Sequence, residues 1–151
     1  SQEAKLGKAI ERLSAAGIIS SVFIDAEVDQ IDAAARIGAR VCEIHTGPYA
    51  HAFHHKGRDA ESPAVLAELE KIRSAGEAIR RHGMRFNAGH ALNYFNVQPV
   101  ARLPGIRELH IGHAIVSRAV FVGLREAVRE MKRLMREAQA HLPPNLPSLT
   151  R

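Results

Sequence analysis

Gly38-Ala39-Arg40-Val41-Cys42-Glu43-Ile44-His45-Thr46-Gly47 is the stretch whose side-chain pattern decides the fold class. Gly38 stands where a glycine closes a helix, just after the helical stripe Val28, Ile31, Ala34 and Ala35. Residues 40–45 then read as a strand. Successive side chains of a strand point to opposite faces, so Val41, Glu43 and His45 share one face and Cys42 and Ile44 the other. The apolar face belongs under helices. The other carries a carboxylate and an imidazole, which a sheet covered on both faces could not easily solvate.

The same unit recurs on either side. Glycines 17, 38, 83 and 105 each precede a strand, and Asp25, His45, His90 and His113 follow seven or eight positions later. In the strand 18–24, Ser21, Phe23 and Asp25 oppose Val22 and Ile24. In 85–89, Arg85, Asn87 and Gly89 oppose Phe86 and Ala88; in 108–112, Glu108, His110 and Gly112 oppose Leu109 and Ile111. Helices are expected over 3–16, across Val28–Ala35, from Pro63 through Ile79, and from Leu124 to Ala138. A short segment spans 96–103, and a polar loop is expected between His45 and Pro63. Four helix–glycine–strand units imply parallel strands joined by helices, with functional groups at the strands' carboxyl ends. A flavodoxin-like open sheet has a similar rhythm but needs strands apolar on both faces. A barrel interior fits better, yet four strands are half of an eight-stranded barrel of about 250 residues.

The chain has 151 residues with 46% hydrophobic and 25% charged side chains, which excludes a disordered or low-complexity class. No apolar run reaches the roughly 18–20 residues that cross a bilayer, and SQEAKLGKAIERL at the start has no signal-peptide core. A single cysteine, Cys42, forms no internal disulfide and suits a reducing compartment. Lys and Arg number 21 against 16 Asp and Glu, a net +5 that could meet nucleic acid, an anionic membrane or phosphorylated metabolites. The basic residues of 125–136 alternate with Glu126, Glu130 and Glu137, so Glu126–Arg129 and Glu130–Arg133 pairs on a solvated helix face are expected. With 5% aromatics there is no stacking surface for bases, and neither nucleic acid nor a membrane is an expected partner.

The chemistry-bearing segments are Glu43–Gly47, Asn87–Ala91 and His110–Ala114. A carboxylate and several imidazoles on converging strand ends can supply acid, base and oxyanion stabilisation near neutral pH. Gly89 and Gly112 would let backbone amides approach phosphate oxygens. Blander readings stand beside these: Glu43 as a structural partner of Arg85, and His110 as a satisfied interior histidine. His51, His54 and His55 have the spacing of a metal-binding helix face, but they sit in the expected loop with no carboxylate partner, so no metal is assigned. Cys42 is read as packing.

The segments SSVFIDA (20–26), EIHTGPYA (43–50), FNAGHALNYFNV (86–97), ELHIGHAIVSRAVFVGL (108–124) and AVREMKRLMREA (127–138) together resemble the pyridoxine 5′-phosphate synthase family. The resemblance spans residues from about 5 to 140 and concerns only that family's C-terminal half, a helix followed by strands five to eight. It implies an α/β fold: residues 1–141 as the C-terminal half of a TIM (β/α)8 barrel, 142–151 as a Pro-rich flexible tail, and the N-terminal half outside this chain. It further implies a bacterial cytoplasmic homo-oligomer, from dimer to octamer, that uses no cofactor or required metal. The implied reaction condenses 3-amino-2-oxopropyl phosphate with 1-deoxy-D-xylulose 5-phosphate to give pyridoxine 5′-phosphate, inorganic phosphate and water. His90 matches the proton donor, Glu43 the transition-state-stabilising carboxylate, and Ala91, Gly112 and His113 the phosphate-binding positions; His45, Asn87 and Gly89 are supporting. The family pattern has glycine where this chain has Ala91, which serves only if the local dihedrals admit it. The remaining acid/base groups and phosphate-binding arginines belong to the other half, so the fragment alone is expected to be inactive. A non-catalytic phosphate-binding or self-assembling half-barrel is the alternative, and a different phosphate-handling barrel enzyme a third.

Overall fold

A computed structural model describes residues 2–140. Along them run α1 (Gln2–Ala15), β1 (Ser21–Ile24), α2 (Val28–Arg36), β2 (Val41–His45), α3 (Gly47–His55) and α4 (Pro63–Arg81). β3 (Arg85–Gly89), α5 (Val97–Ala101), β4 (Ile106–His110), α6 (His113–Val122) and α7 (Leu124–Ala140) complete the order. The strands form one parallel sheet in the sequence order β1-β2-β3-β4. Each strand therefore lies beside its predecessor, and all carboxyl ends point the same way. Among the described residues the outer edges of β1 and β4 carry no further strand.

Side-chain alternation decides which face is packed. Cys42, Ile44, Phe86 and Ala88 are buried in one core with Ile31 and Ala34 of α2 and Val65, Ile72, Ala75 and Ile79 of α4. Gly76, inside α4, sits against the Phe86 ring, and a Cβ there would overlap Phe86 Cδ1 and Cζ at 2.7 and 2.8 Å. A helix interior pays about 1 kcal/mol for glycine; here the absent side chain lets the helix settle onto β3. On the other face the strands carry Phe23, Glu43, His45, Glu108 and His110, all partly or largely exposed. β1 and β4 include polar or exposed positions, and the edge residues Phe23 and Glu108 are open.

Several boundaries differ from expectation. Residues 47–55, read as loop, form α3: Pro48 starts it, and Tyr49, Ala50 and Phe53 bury one face while the histidines stay exposed. The stripe is short, and three histidines mask it. The fourth strand is 106–110, not 108–112, because Gly112 caps α6 and Ile106 pairs with Phe86. α6 has no counterpart among the helices expected from sequence. His113–Val122 has apolar residues around its circumference, with Val116, Val120 and Phe121 at 63%, 78% and 82% exposure, so no amphipathic stripe marks it. β1 begins at Ser21, not residue 18, since its ladder starts at Ser21↔Val41. On α7, Glu126–Arg129 pairs as expected, but Glu130 binds Arg118 of α6 and Arg133 turns to Glu137. The tail 142–151 lies outside the described residues.

Gly76→Ala is expected to destabilise the chain by about 1 kcal/mol, overpacking against Phe86 outweighing the helix-propensity gain. A urea unfolding midpoint below that of the parent checks this; a higher midpoint contradicts the close α4–β3 contact.

Candidate active site

An open cavity of about 680 Å³ lies beyond the carboxyl ends of β2, β3 and β4. Glu43, His90, Ala91, Gly112 and His113, singled out from sequence, all line it, as do His110 and Phe23. Each arrives from a different element: Glu43 from within β2, His90 and Ala91 from the turn after β3, His110 from the end of β4, and Gly112–His113 from the start of α6. The supporting residues His45, Asn87 and Gly89 stand behind this lining.

The turn after β3 is strained. His90 and Ala91 have φ of 80° and 59°, in the left-handed region that costs a residue with a Cβ about 1–2 kcal/mol. Local dihedrals at position 91 thus favour glycine, and alanine occupies them at a cost. Thr46, fully buried, holds the turn: its amide N–H donates to Gly89 O at 2.8 Å, and its hydroxyl lies 2.6 Å from Gly89 O and 2.5 Å from His90 O. Asn96 secures the far side, its Nδ2 donating to Ala91 O at 3.2 Å and its Oδ1 accepting the Asn93 N–H at 2.7 Å. The Tyr49 hydroxyl donates to Asn96 O at 2.9 Å, tying α3 to the same turn; burial pushes that phenol well above its ordinary pKa. Thr46 and Asn96 lie within the quoted motifs, yet nothing in the sequence gives them a role. Only their burial identifies them.

Glu43 does not pair with Arg85. Its Oε2 accepts from His110 Nδ1 at 2.6 Å, and His110 Nε2 lies 3.5 Å from Glu108 Oε2, which accepts Asn87 Nδ2 at 3.2 Å. β2 and β4 flank β3, so this contact passes over Gly89, where any Cβ would overlap Glu43 Oε1 and lie 3.1 Å from His110 Cβ. The space of the missing side chain is taken by the Glu43 carboxylate. Partial burial alone would pull the His110 pKa down, but the bonds and charges of Glu43 and Glu108 together raise it above the ordinary histidine value. His110 is thus satisfied at both ring nitrogens, while its side chain stays 44% exposed on the polar face. Asn87 is buried, and its Oδ1 has no hydrogen-bond partner among the described residues.

His45 belongs to a second group. Its Nδ1 lies 3.1 Å from Asp25 Oδ1, and Asp25 is fixed by Gln30 of α2, which accepts its amide N–H at 3.1 Å. The His45 ring stacks edge-on against His90 with centroids 4.9 Å apart, and Phe23 packs against both. Asp25, through His45, thus braces the His90 imidazole from the β1 side. Cys42 points to the helix face, its thiol 3.6 Å from Met84 Sδ and pushed up to about 11 by burial. His51, His54 and His55 stack on one another at the surface of α3, and no metal-competent group of three His, Cys, Asp or Glu occurs among the described residues.

Two substitutions test the turn. Thr46→Val removes the hydroxyl while keeping its volume and is expected to lower stability by about 1–2 kcal/mol in denaturant titration. Ala91→Gly is expected to raise it by about 0.5–1 kcal/mol, relief of the left-handed alanine exceeding the added unfolded-state entropy. A loss of stability in Ala91→Gly contradicts the strain.

No helix among the described residues is long and apolar enough to cross a membrane. The model of the family described as pyridoxal phosphate biosynthesis protein PdxJ matches residues 1–137. A pyridoxine 5′-phosphate synthase of Azoarcus sp. (strain BH72) is 83% identical over 140 residues, covering 93% of this chain and 56% of the relative. Proteins of the same name from Dechloromonas aromatica and Magnetococcus marinus are 80% and 50% identical, over 91% and 89% of this chain and 55% and 52% of their own lengths. The chain thus spans about half the length of these curated relatives. With the match extending over nearly all of its sequence, from α1 to the last turn of α7, this chain belongs to the PdxJ family of pyridoxal phosphate biosynthesis proteins.

Proposed function

We propose that this chain is the C-terminal half of a pyridoxine 5′-phosphate synthase, its β1–β4 serving as strands five to eight of a TIM (β/α)8 barrel. The observation that carries this reading is the meeting of Glu43, His90 and the Gly112–His113 start of α6 on one cavity at the strands' carboxyl ends. That is where barrel enzymes of this kind keep their chemistry. The complete enzyme condenses 3-amino-2-oxopropyl phosphate with 1-deoxy-D-xylulose 5-phosphate, closing the pyridine ring of pyridoxine 5′-phosphate and releasing inorganic phosphate and water.

Within this half, His90 donates a proton during ring closure, and its left-handed backbone commits the imidazole to the cavity side of the turn. Glu43 stabilises the transition state as a carboxylate fixed on the wall. Ala91, Gly112 and His113 hold a substrate phosphate, favoured by the partial positive charge at the start of α6, whose first turn has no acidic residue. The other half supplies the remaining acid/base groups and covers the polar sheet face and the two open edges. The whole protein is a homo-oligomer of the bacterial cytoplasm.

The chain alone is expected to give no detectable pyridoxine 5′-phosphate, whereas the same chain joined to the N-terminal half of a close relative turns over. In that joined enzyme His90→Asn is expected to lower kcat by about 100-fold or more, the usual scale for a general acid. Turnover by the isolated chain, or an unaffected His90→Asn variant, overturns the assignment. A symmetric dimer of the isolated chain that binds substrate phosphate without turnover would favour the self-assembling half-barrel instead.

A further inference from the structure

Glu43 and His110 meet across a strand that belongs to neither of them. Adjacent strands lie about 4.8 Å apart, so β2 and β4 are separated by roughly 10 Å. Two features close that distance. Gly89 leaves an empty lane on β3, and the ladder between β3 and β4 shifts after Phe86↔Ile106, so that Asn87 pairs with Glu108 and Gly89 with His110. Arg107 drops out of the pairing, and without that shift Glu108 and His110 would not stand opposite these partners.

Both ring nitrogens of His110 face carboxylates, Nδ1 towards Glu43 at 2.6 Å and Nε2 towards Glu108 at 3.5 Å. A neutral imidazole has one N–H and can donate to only one of them; the imidazolium donates to both. The charged and titratable groups on this side are Glu43 of β2, Glu108 of β4, Arg85 of β3, His90 in the turn after it, His113 at the start of α6 and the Asp25–His45 pair from the β1 side, beside the neutral Asn87 amide. Among these, only Glu43 and Glu108 bond to His110, and Glu43 makes the shorter contact.

We propose that His110 is the positioning residue for Glu43, its imidazolium gripping Oε2 across Gly89 and setting where the carboxylate stands on the cavity wall. When His110 loses its proton, one of the two carboxylates loses its donor, and in either tautomer Glu43 loses the attraction of the imidazolium charge, so its hold on the wall weakens. Because the folded-state pKa of His110 is raised, the stabilisation it brings is complete below the ordinary histidine pKa of about 6.5 and is lost as pH rises through the higher folded value. The catalytic consequence rests on the role proposed above for Glu43; the geometry and the titration do not.

The first measurement follows the His110 ring by NMR from about pH 5 to pH 9 in the full chain without substrate, spanning the histidine range. A midpoint above the ordinary value is expected, with proton affinity falling about tenfold in Glu43→Gln and less in Glu108→Gln. A parent midpoint at or below the ordinary value, or one unmoved by Glu43→Gln, overturns the proposal. The second measurement uses the joined full-length enzyme. His110→Ala is expected to lower kcat about tenfold, and His110→Asn, whose amide still donates a hydrogen bond, to recover most of it. The alkaline loss that tracks His110 should vanish in His110→Asn. If His110→Asn matches His110→Ala while both keep the parent circular dichroism, positioning is wrong. Absence of turnover in the joined parent would instead sink the proposed reaction, leaving the titration as an independent result.

Discussion

Cys42, Ile44, Phe86 and Ala88 all turn to the same side of the sheet, and the central strands put no charged group there. Helices can cover only that side. The other side must hold Glu43, His45, Glu108 and His110 together with Asn87, so it cannot be sealed by an apolar layer without stranding charges. A parallel sheet finished on one face and polar on the other is the constraint from which the rest follows. It leaves the carboxyl ends as the place where polar groups can gather, and it leaves two strand edges that a complementary half would pair.

Within that frame, the absence of one side chain organises the site. Gly89 gives Glu43 room to cross β3, while the next two residues take left-handed backbone that lifts His90 and Ala91 towards the cavity. Strain of about 1–2 kcal/mol per residue persists only where neighbours over-determine it. Here the neighbours are Thr46 beneath Gly89 and His90, and Asn96 beneath Ala91. The Asp25–His45 pair adds a brace from the β1 side. Fold and site therefore share residues: the hydroxyl that ties β2 to β3 also shapes the proposed proton donor's turn.

The repeat of glycine, strand and polar end was legible because each unit carries its own punctuation, and the alternation in Val41–His45 alone separates the packed face from the polar one. Glu43, His90, Ala91, Gly112 and His113 line one cavity; the strand ends alone point to Glu43, His90, Gly112 and His113, whereas Ala91 is reached only through the family resemblance. What stayed hidden was tertiary. The stripe of α3 is masked by its histidines, and α6 has no polar face to set its period against. Arg85, on the neighbouring strand, is the partner that sequence suggests for Glu43; the actual partner is one strand farther, reachable only through a glycine and a ladder shift that no local pattern announces. Thr46 and Asn96 gain meaning from burial, which a threonine or asparagine in a motif does not reveal.

On the function proposed above, the cavity at the carboxyl ends of these strands binds phosphate. Amide NMR of the chain titrated with inorganic phosphate and then with 1-deoxy-D-xylulose 5-phosphate tests it most directly. Saturable shifts confined to Ala91, Gly112, His113 and their immediate neighbours are expected, larger for the sugar phosphate. Shifts centred on the basic face of α7, or none at the start of α6, would contradict it.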